Sequence, residues 1–377
     1  MLFLNALKEI FYTQKTYFRF LVYAMKNRKL FLYFLLFQFL FWGLLSYFPV
    51  QIESYYSTGL YPIWALFLRA LLGWIPISVG DVGYSIVLLL LLKWCFTTFK
   101  NKSWKLAFWQ GIKVFSIGYF VFYLVWGLNY SREPLYSKLA LNREYTPKQL
   151  YDFTKYLLCK TNALQLQITN NPHQKVRLPF SKAEALQSPL LGYAALPTAI
   201  VPKNNQHSSI KRSLFSTPLS YMGFGGYLNP FTLEAQVNTN GPGYVLPMTA
   251  AHEMAHQLGY ASESECNFIG FLAASKHPDP VVNYSAYTLA LRYCLGEWSE
   301  RDPKLAKLFI GKLHPGVLKN FQESETYWAQ YETPIETGFK WFYDSYLKYN
   351  QQEEGLESYS KFIDLLIHYQ FQQKGNF

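Results

Sequence analysis

Apolar residues run almost unbroken through three stretches in the first third of the chain, and the pattern then changes. Residues 30–48, from Leu30 to Phe48, carry no charge and are long enough to cross a bilayer as one helix. The stretch starts too far in, and runs too long, to be a cleavable signal. Residues 83–98, built around Val87-Leu88-Leu89-Leu90-Leu91-Leu92, form a second expected span, with Lys93 placed to snorkel at a membrane edge. Residues 106–128 form a third, with Lys113 as its one charge. Between the first two, residues 61–75 are apolar but shorter, carry Arg69 and run into Pro76. They read as an interfacial or re-entrant segment.

After Asn129 the chain turns polar, so residues 1–129 read as a membrane domain and residues 130–377 as a second domain outside the bilayer. Thr146-Pro147-Lys148-Gln149 is a capped helix start. Residues 168–216 are rich in Asn, Pro, Ser and basic residues, which predicts loops with short strands. Residues 220–238 alternate aromatic and β-branched residues with glycines, which predicts strands and turns, and they are the candidate substrate-binding strand. Pro247 and Gly259 bracket a helix, because proline suits a first turn and glycine a left-handed C′ position. Ser262, with Glu265 three residues on, predicts a capping box at the next helix. Tyr284 to Leu295 reads helical, and after a break at Gly355 a last amphipathic helix is expected from Ser358 to Gln370. The fold class is therefore mainly α: transmembrane helices followed by an α+β domain.

Composition agrees with this division. The 377 residues are 50% hydrophobic and 19% aromatic, above the averages for a soluble domain. The net charge of +11 is distributed in a way that predicts topology. Lys8, Lys15, Arg19, Lys26, Arg28 and Lys29 precede the first span, and Lys100, Lys102 and Lys105 fill the link between the second and third, whereas residues 49–78 hold only Arg69. By the positive-inside rule the N-terminus and that link are cytoplasmic, which puts residues 130–377 on the extracytoplasmic side. No nucleic-acid motif accompanies the basic balance, so contact with an anionic lipid bilayer accounts for it. The four cysteines, Cys95, Cys159, Cys266 and Cys294, show no paired spacing, and among the last three one disulfide is conceivable.

The chemistry lies in His252-Glu253-Met254-Ala255-His256, an H-E-x-x-H string on the helix ended by Gly259. Residues i and i+4 share a helix face, so His252 and His256 can offer two imidazole nitrogens to one ion, with Glu253 beside it as general base. A catalytic zinc takes three protein ligands, so a third is needed. Glu263 and Asn267 share a face of the following helix, one suited to ligation and the other to holding a ligand histidine. Their E-x-x-x-N spacing resembles the E-x-x-x-D of the gluzincin metallopeptidases, in which the glutamate is a ligand, although Glu263 follows His256 more closely than in the best-known members. Glu263 is thus preferred as third ligand to Glu265, and Cys266 reads as a packing residue. An oxyanion stabiliser is also needed, and Tyr284, Tyr287, Arg292 and His277 are the available types.

Ser78-Val79-Gly80-Asp81, Pro230-Phe231-Thr232-Leu233-Glu234-Ala235, the block from His252 to Phe268, and the tail through Tyr346-Leu347-Lys348, Gly355 and Ser358-Tyr359 together resemble an uncharacterised bacterial family of three-span membrane proteins with a zincin-like domain. The resemblance implies a multi-pass protein of the bacterial cytoplasmic membrane, binding one Zn2+ through His252, His256 and Glu263 and hydrolysing a peptide or protein substrate. A different class of function, a catalytically inactive zinc-binding sensor or partner-binding membrane protein, uses the same residues. An intramembrane protease is disfavoured, because the motif has polar flanks and lies far beyond the last span.

Overall fold

The computed structural model describes residues 28–141, 144–201, 209–350 and 361–374. The first apolar run forms helix α1 (Arg28–Leu45), which ends at the Ser46-Tyr47-Phe48-Pro49 corner. Proline there fits a new first turn but not the continuation of a helix. The chain then follows a nine-residue π-helix, Ile52–Leu60, and helix α2 (Tyr61–Leu72). The segment Pro49–Leu72 is bent by 94° from α1, the geometry of a broken span or a re-entrant loop, and helix α2 is its second part. One face of α2 is buried through Tyr61, Ala65 and Arg69, while Ile63, Trp64, Phe67 and Leu71 on the other sides are exposed.

Ser78 caps α3 (Val79–Asn101), its side chain accepting from the Asp81 backbone N–H at 2.9 Å. A two-residue link, with Lys102 in the left-handed region, turns the chain into α4 (Trp104–Val125). Both helices are long and apolar enough to cross a membrane, and with the bent pair the number of candidate spans reaches three. The second span begins four residues earlier than residues 83–98 suggest, because Ser78 supplies the cap. The third gives way after Val125 to a 3-10 turn, Gly127–Ser131. Ile86 to Leu92 are all roughly half exposed or more, although every one is apolar. A helix apolar all round and buried against no protein fits a lipid environment. Gln38 of α1 donates to Ser116 Oγ of α4 at 3.0 Å, which pairs its amide nitrogen between two apolar helices.

The rest is helical around a small sheet. Helix α5 (Pro147–Thr169) starts with the Thr146/Gln149 capping box. Strands β1 (Ile210–Arg212), β2 (Gly226–Leu228) and β3 (Ala235–Val237) form a sheet in the order β1-β3-β2, with β3 parallel to β1 and antiparallel to β2. Strand character is thus confined to a few residues of 220–238: Ser216–Met222 is a helix, and residues 230–234 form the β2–β3 turn. Residues 168–216 also hold two short helices, Lys182–Gln187 and Leu190–Ala194. Helices α6 (Leu246–Gln257), α7 (Glu263–Ser275) and α8 (Pro280–Arg301) form the centre, packed through residues such as Ala251, Phe268, Val282 and Leu291. Helices α9 (Pro315–Ala329), α10 (Pro334–Tyr349) and α11 (Lys361–Lys374) follow. The expected Gly355 break and the Ser358 start fall outside the described residues. All four cysteines are free thiols, so the conceivable disulfide does not form.

Buried ion pairs join the candidate spans and their connecting segment to the rest. Lys211 of β1 pairs with Glu234, which accepts from Gly80 N–H at the start of α3 at 2.6 Å, while Lys211 donates to the Leu72 and Ile77 carbonyls. Arg132 clasps Glu53 with two bonds of 2.8 Å and donates to the Gly259 carbonyl at 2.7 Å.

Candidate metal centre

Helix α6 carries His252, Glu253 and His256 because Pro247 sits in its first turn and small Ala250, Ala251 and Ala255 let neighbours approach closely. It stops at Gly259, whose φ of +83° is the left-handed conformation expected. A Cβ there would also lie 2.9 Å from the Tyr61 ring, so the turn is pressed directly against helix α2. Tyr61 donates to the Gln257 carbonyl at 3.1 Å, which satisfies one of the free carbonyls at the helix end.

Helix α7 then brings Glu263 back over the two histidines. Glu263 Oε2 lies 3.0 Å from His252 Nε2, and Oε1 lies 3.8 Å from His256 Nε2. These separations bracket the ~3.4 Å expected between two ligands each about 2.1 Å from one tetrahedral ion. The ligand atoms of all three residues lie within 4.8 Å of one another, the one such group among the described residues. The far nitrogens are held: His252 Nδ1 is 2.9 Å from Asn267 Oδ1, and His256 Nδ1 is 2.8 Å from the Tyr260 carbonyl. An acceptor at Nδ1 fixes the proton there and leaves Nε2 free to ligate. Burial opposes charge on Glu263, yet the two imidazoles beside it hold its carboxyl well below the usual range. Two imidazoles and a carboxylate are a donor set suited to zinc.

Glu253 faces the same space from α6. It is buried, and its Oε2 has no hydrogen-bond partner among the described residues. Burial pushes its carboxyl up to about 7, against the pull of His252 and His256. Its other side rests on β2, where a Cβ on Gly226 would come within 2.6 Å of Oε1. Strand β2 has β3 on one side and lies at the sheet edge, beside the cluster. A cleft of about 1350 Å3 runs past these groups, lined by Phe224, Tyr227, Trp126, Arg292 and Tyr346 among others.

Other candidate residues lie elsewhere. Glu265 points away and accepts from Leu135 N–H at 2.5 Å, so it is remote from the cluster. The expected capping box is absent, because Ser262 Oγ instead contacts Ser264 Oγ at 3.0 Å. Cys266 packs behind His256, donating to the Tyr260 carbonyl, and burial pushes its thiol up to about 11. Tyr284 bonds Asn320 in the core, Tyr287 contacts Tyr156, and His277 accepts from Asp279 N–H. Of the four oxyanion candidates only Arg292 lines the cleft.

Three tyrosines that spacing did not single out complete the site. Tyr343 of α10 donates to Glu263 Oε1 at 2.5 Å, and Tyr346 stacks on Tyr343 and donates to Tyr130 at 3.2 Å. Trp126, just past the end of α4, packs edge-on against His256 with ring centroids 6.3 Å apart. The aromatic cluster at residues 341–349 was the available signal, but nothing local links it to residues 252–263.

A family model described as Protein of unknown function (DUF3810) matches residues 56–367. No curated protein and no solved structure matches the chain.

Proposed function

The chain belongs to the family described as Protein of unknown function (DUF3810), and we propose that it is a membrane-anchored zinc metallopeptidase. The observation that carries the reading is the convergence of His252, His256 and Glu263 within 4.8 Å, with both imidazole Nδ1 atoms already held. Glu253, a buried residue whose carboxylate Oε2 has no partner among the described residues, lines the same cleft.

His252 and His256 would hold the zinc through Nε2, and Glu263 through its carboxylate. When bound, the ion supplies a Lewis acid that acidifies water and polarises a carbonyl. Glu253 takes the proton of the attacking water at Oε2 and passes it to the leaving amine. Strand β2 offers its free edge to an extended peptide, so that the scissile bond lies over Glu253. Arg292 and the Tyr343 hydroxyl, both in the cleft, are the groups available to a developing oxyanion.

The lysines at 100, 102 and 105, in and beside the link between α3 and α4, favour a cytoplasmic link. The cleft is then on the extracytoplasmic face of a bacterial cytoplasmic membrane. Glu253→Gln keeps the shape and loses the base, so zinc content should be unchanged while kcat on a peptide substrate falls by ~100-fold or more. Undiminished hydrolysis by that variant would contradict the assignment.

A further inference from the structure

With α4 as a membrane span, its length sets the depth of the cluster. Helix α4 has 22 residues, about 33 Å at 1.5 Å per residue, which matches the ~30 Å hydrocarbon core of a bilayer. Its end at Val125 therefore falls at the edge of that core. Trp126 is the next residue, and its ring centre is 6.3 Å from that of His256. Headgroups occupy roughly 5–7 Å on each side of the core, so with α4 as a span His256 stands no more than about one headgroup layer beyond it.

Two further contacts place the rest of the apparatus at the same level. Tyr84, near the start of α3, stacks on Tyr227 of the edge strand with centroids 6.3 Å apart. Helix α2 supports the C-terminus of the metal helix through Tyr61 and turns Ile63, Trp64, Phe67 and Leu71 outward, so only one helix separates α6 from lipid. Phe122, Trp126, Tyr227 and Leu228 then line the cleft on its membrane side.

We infer that the substrate is a polypeptide anchored in the same bilayer and cut where it leaves the membrane. This rests on the peptidase reading and names its substrate class. A folded soluble protein cannot bring a bond to headgroup depth without unfolding or displacing lipid. An extended chain rising from the membrane at about 3.3 Å per residue crosses that layer within roughly two residues. Tethering also replaces a bimolecular encounter with a local one. The anchor can be an apolar helix or an acyl chain, since the shared requirement is an extended segment held at the surface.

The test uses the full-length, zinc-loaded protein in nanodiscs with a mixed-sequence eight-residue segment attached in four ways. These are directly to a transmembrane helix, directly to an acyl chain, through a rigid helical spacer of about 40 residues (~60 Å) to the same transmembrane helix, and free in solution. Cleavage sites are mapped by mass spectrometry. The directly anchored segments should be cut at least about tenfold faster than the lifted and free ones. Cleavage through one anchor only identifies which source is used and supports the inference. Equal rates for the lifted and the directly anchored segments overturn it while leaving the peptidase reading intact. Cleavage of none overturns the peptidase reading and the inference together.

Discussion

At Gly226 a single added methyl group would meet Glu253 Oε1 at 2.6 Å and the Gln236 carbonyl at 2.7 Å, and since the carbonyl belongs to the paired strand it is the Glu253 side chain that must give way. The strand backbone and the candidate base are therefore held against each other by the absence of a side chain. Gly226→Ala should displace Glu253 while leaving His252, His256 and Glu263 in place. Since a misplacement of about 1 Å can cost ~100-fold, turnover should fall by at least about tenfold with zinc content unchanged. Parallel activity assay and metal analysis check this, and full activity would show that Glu253 does not depend on that contact. Spacing alone made His252, Glu253 and His256 legible, because all three sit on one helix and one face. Glu263 was legible because its helix follows directly after the Gly259 turn. Tyr343 was not, since it reaches Glu263 from 80 residues further along the chain. Glu265 could be set aside only once its backbone partner, Leu135, was known.

Among elements, the decisive join is between the Pro49–Leu72 segment and the turn after the metal helix. Arg132 makes it: its guanidinium pairs with Glu53, bonds the Gly259 carbonyl and lies 4.0 Å from the centre of the Tyr260 ring. Removing one partner of a buried pair leaves a charge without compensation, which typically costs about 3–5 kcal/mol. Lys138 also reaches Glu53, at 2.5 Å, and offsets part of that loss. Arg132→Ala should therefore destabilise the full-length protein by about 2–4 kcal/mol, with Arg132→Lys intermediate because it keeps the charge but loses the two-pronged geometry. Denaturant or thermal unfolding in nanodiscs measures it, and an unchanged midpoint would mean that the two parts are held by packing alone. The spans and the Thr146 cap were readable because apolar length and capping are local properties. The π-helix at Ile52–Leu60 and the short strands around residue 230 were not. Both depend on what they pack against: Ser57 of the π-helix bonds Asn129, and β2 exists only as the partner of β3.

For the whole molecule, the arrangement is a helical body seated on the ends of candidate spans, with its cleft at their level. Apolar runs suggested which part lies in the bilayer and charge suggested its sidedness, but neither suggested that the cluster would pack against the residue that ends α4, because that follows from contacts such as Trp126 with His256. The central claim is that this body holds one zinc ion through His252, His256 and Glu263. Metal content of the purified full-length chain, compared with His252→Ala and Glu263→Ala folded to the same extent, tests it most directly. The account predicts close to one zinc per wild-type chain and a loss of most of it in either variant. A well-folded wild-type protein that takes up no zinc, or a Glu263→Ala variant that binds it as tightly as wild type, would contradict it.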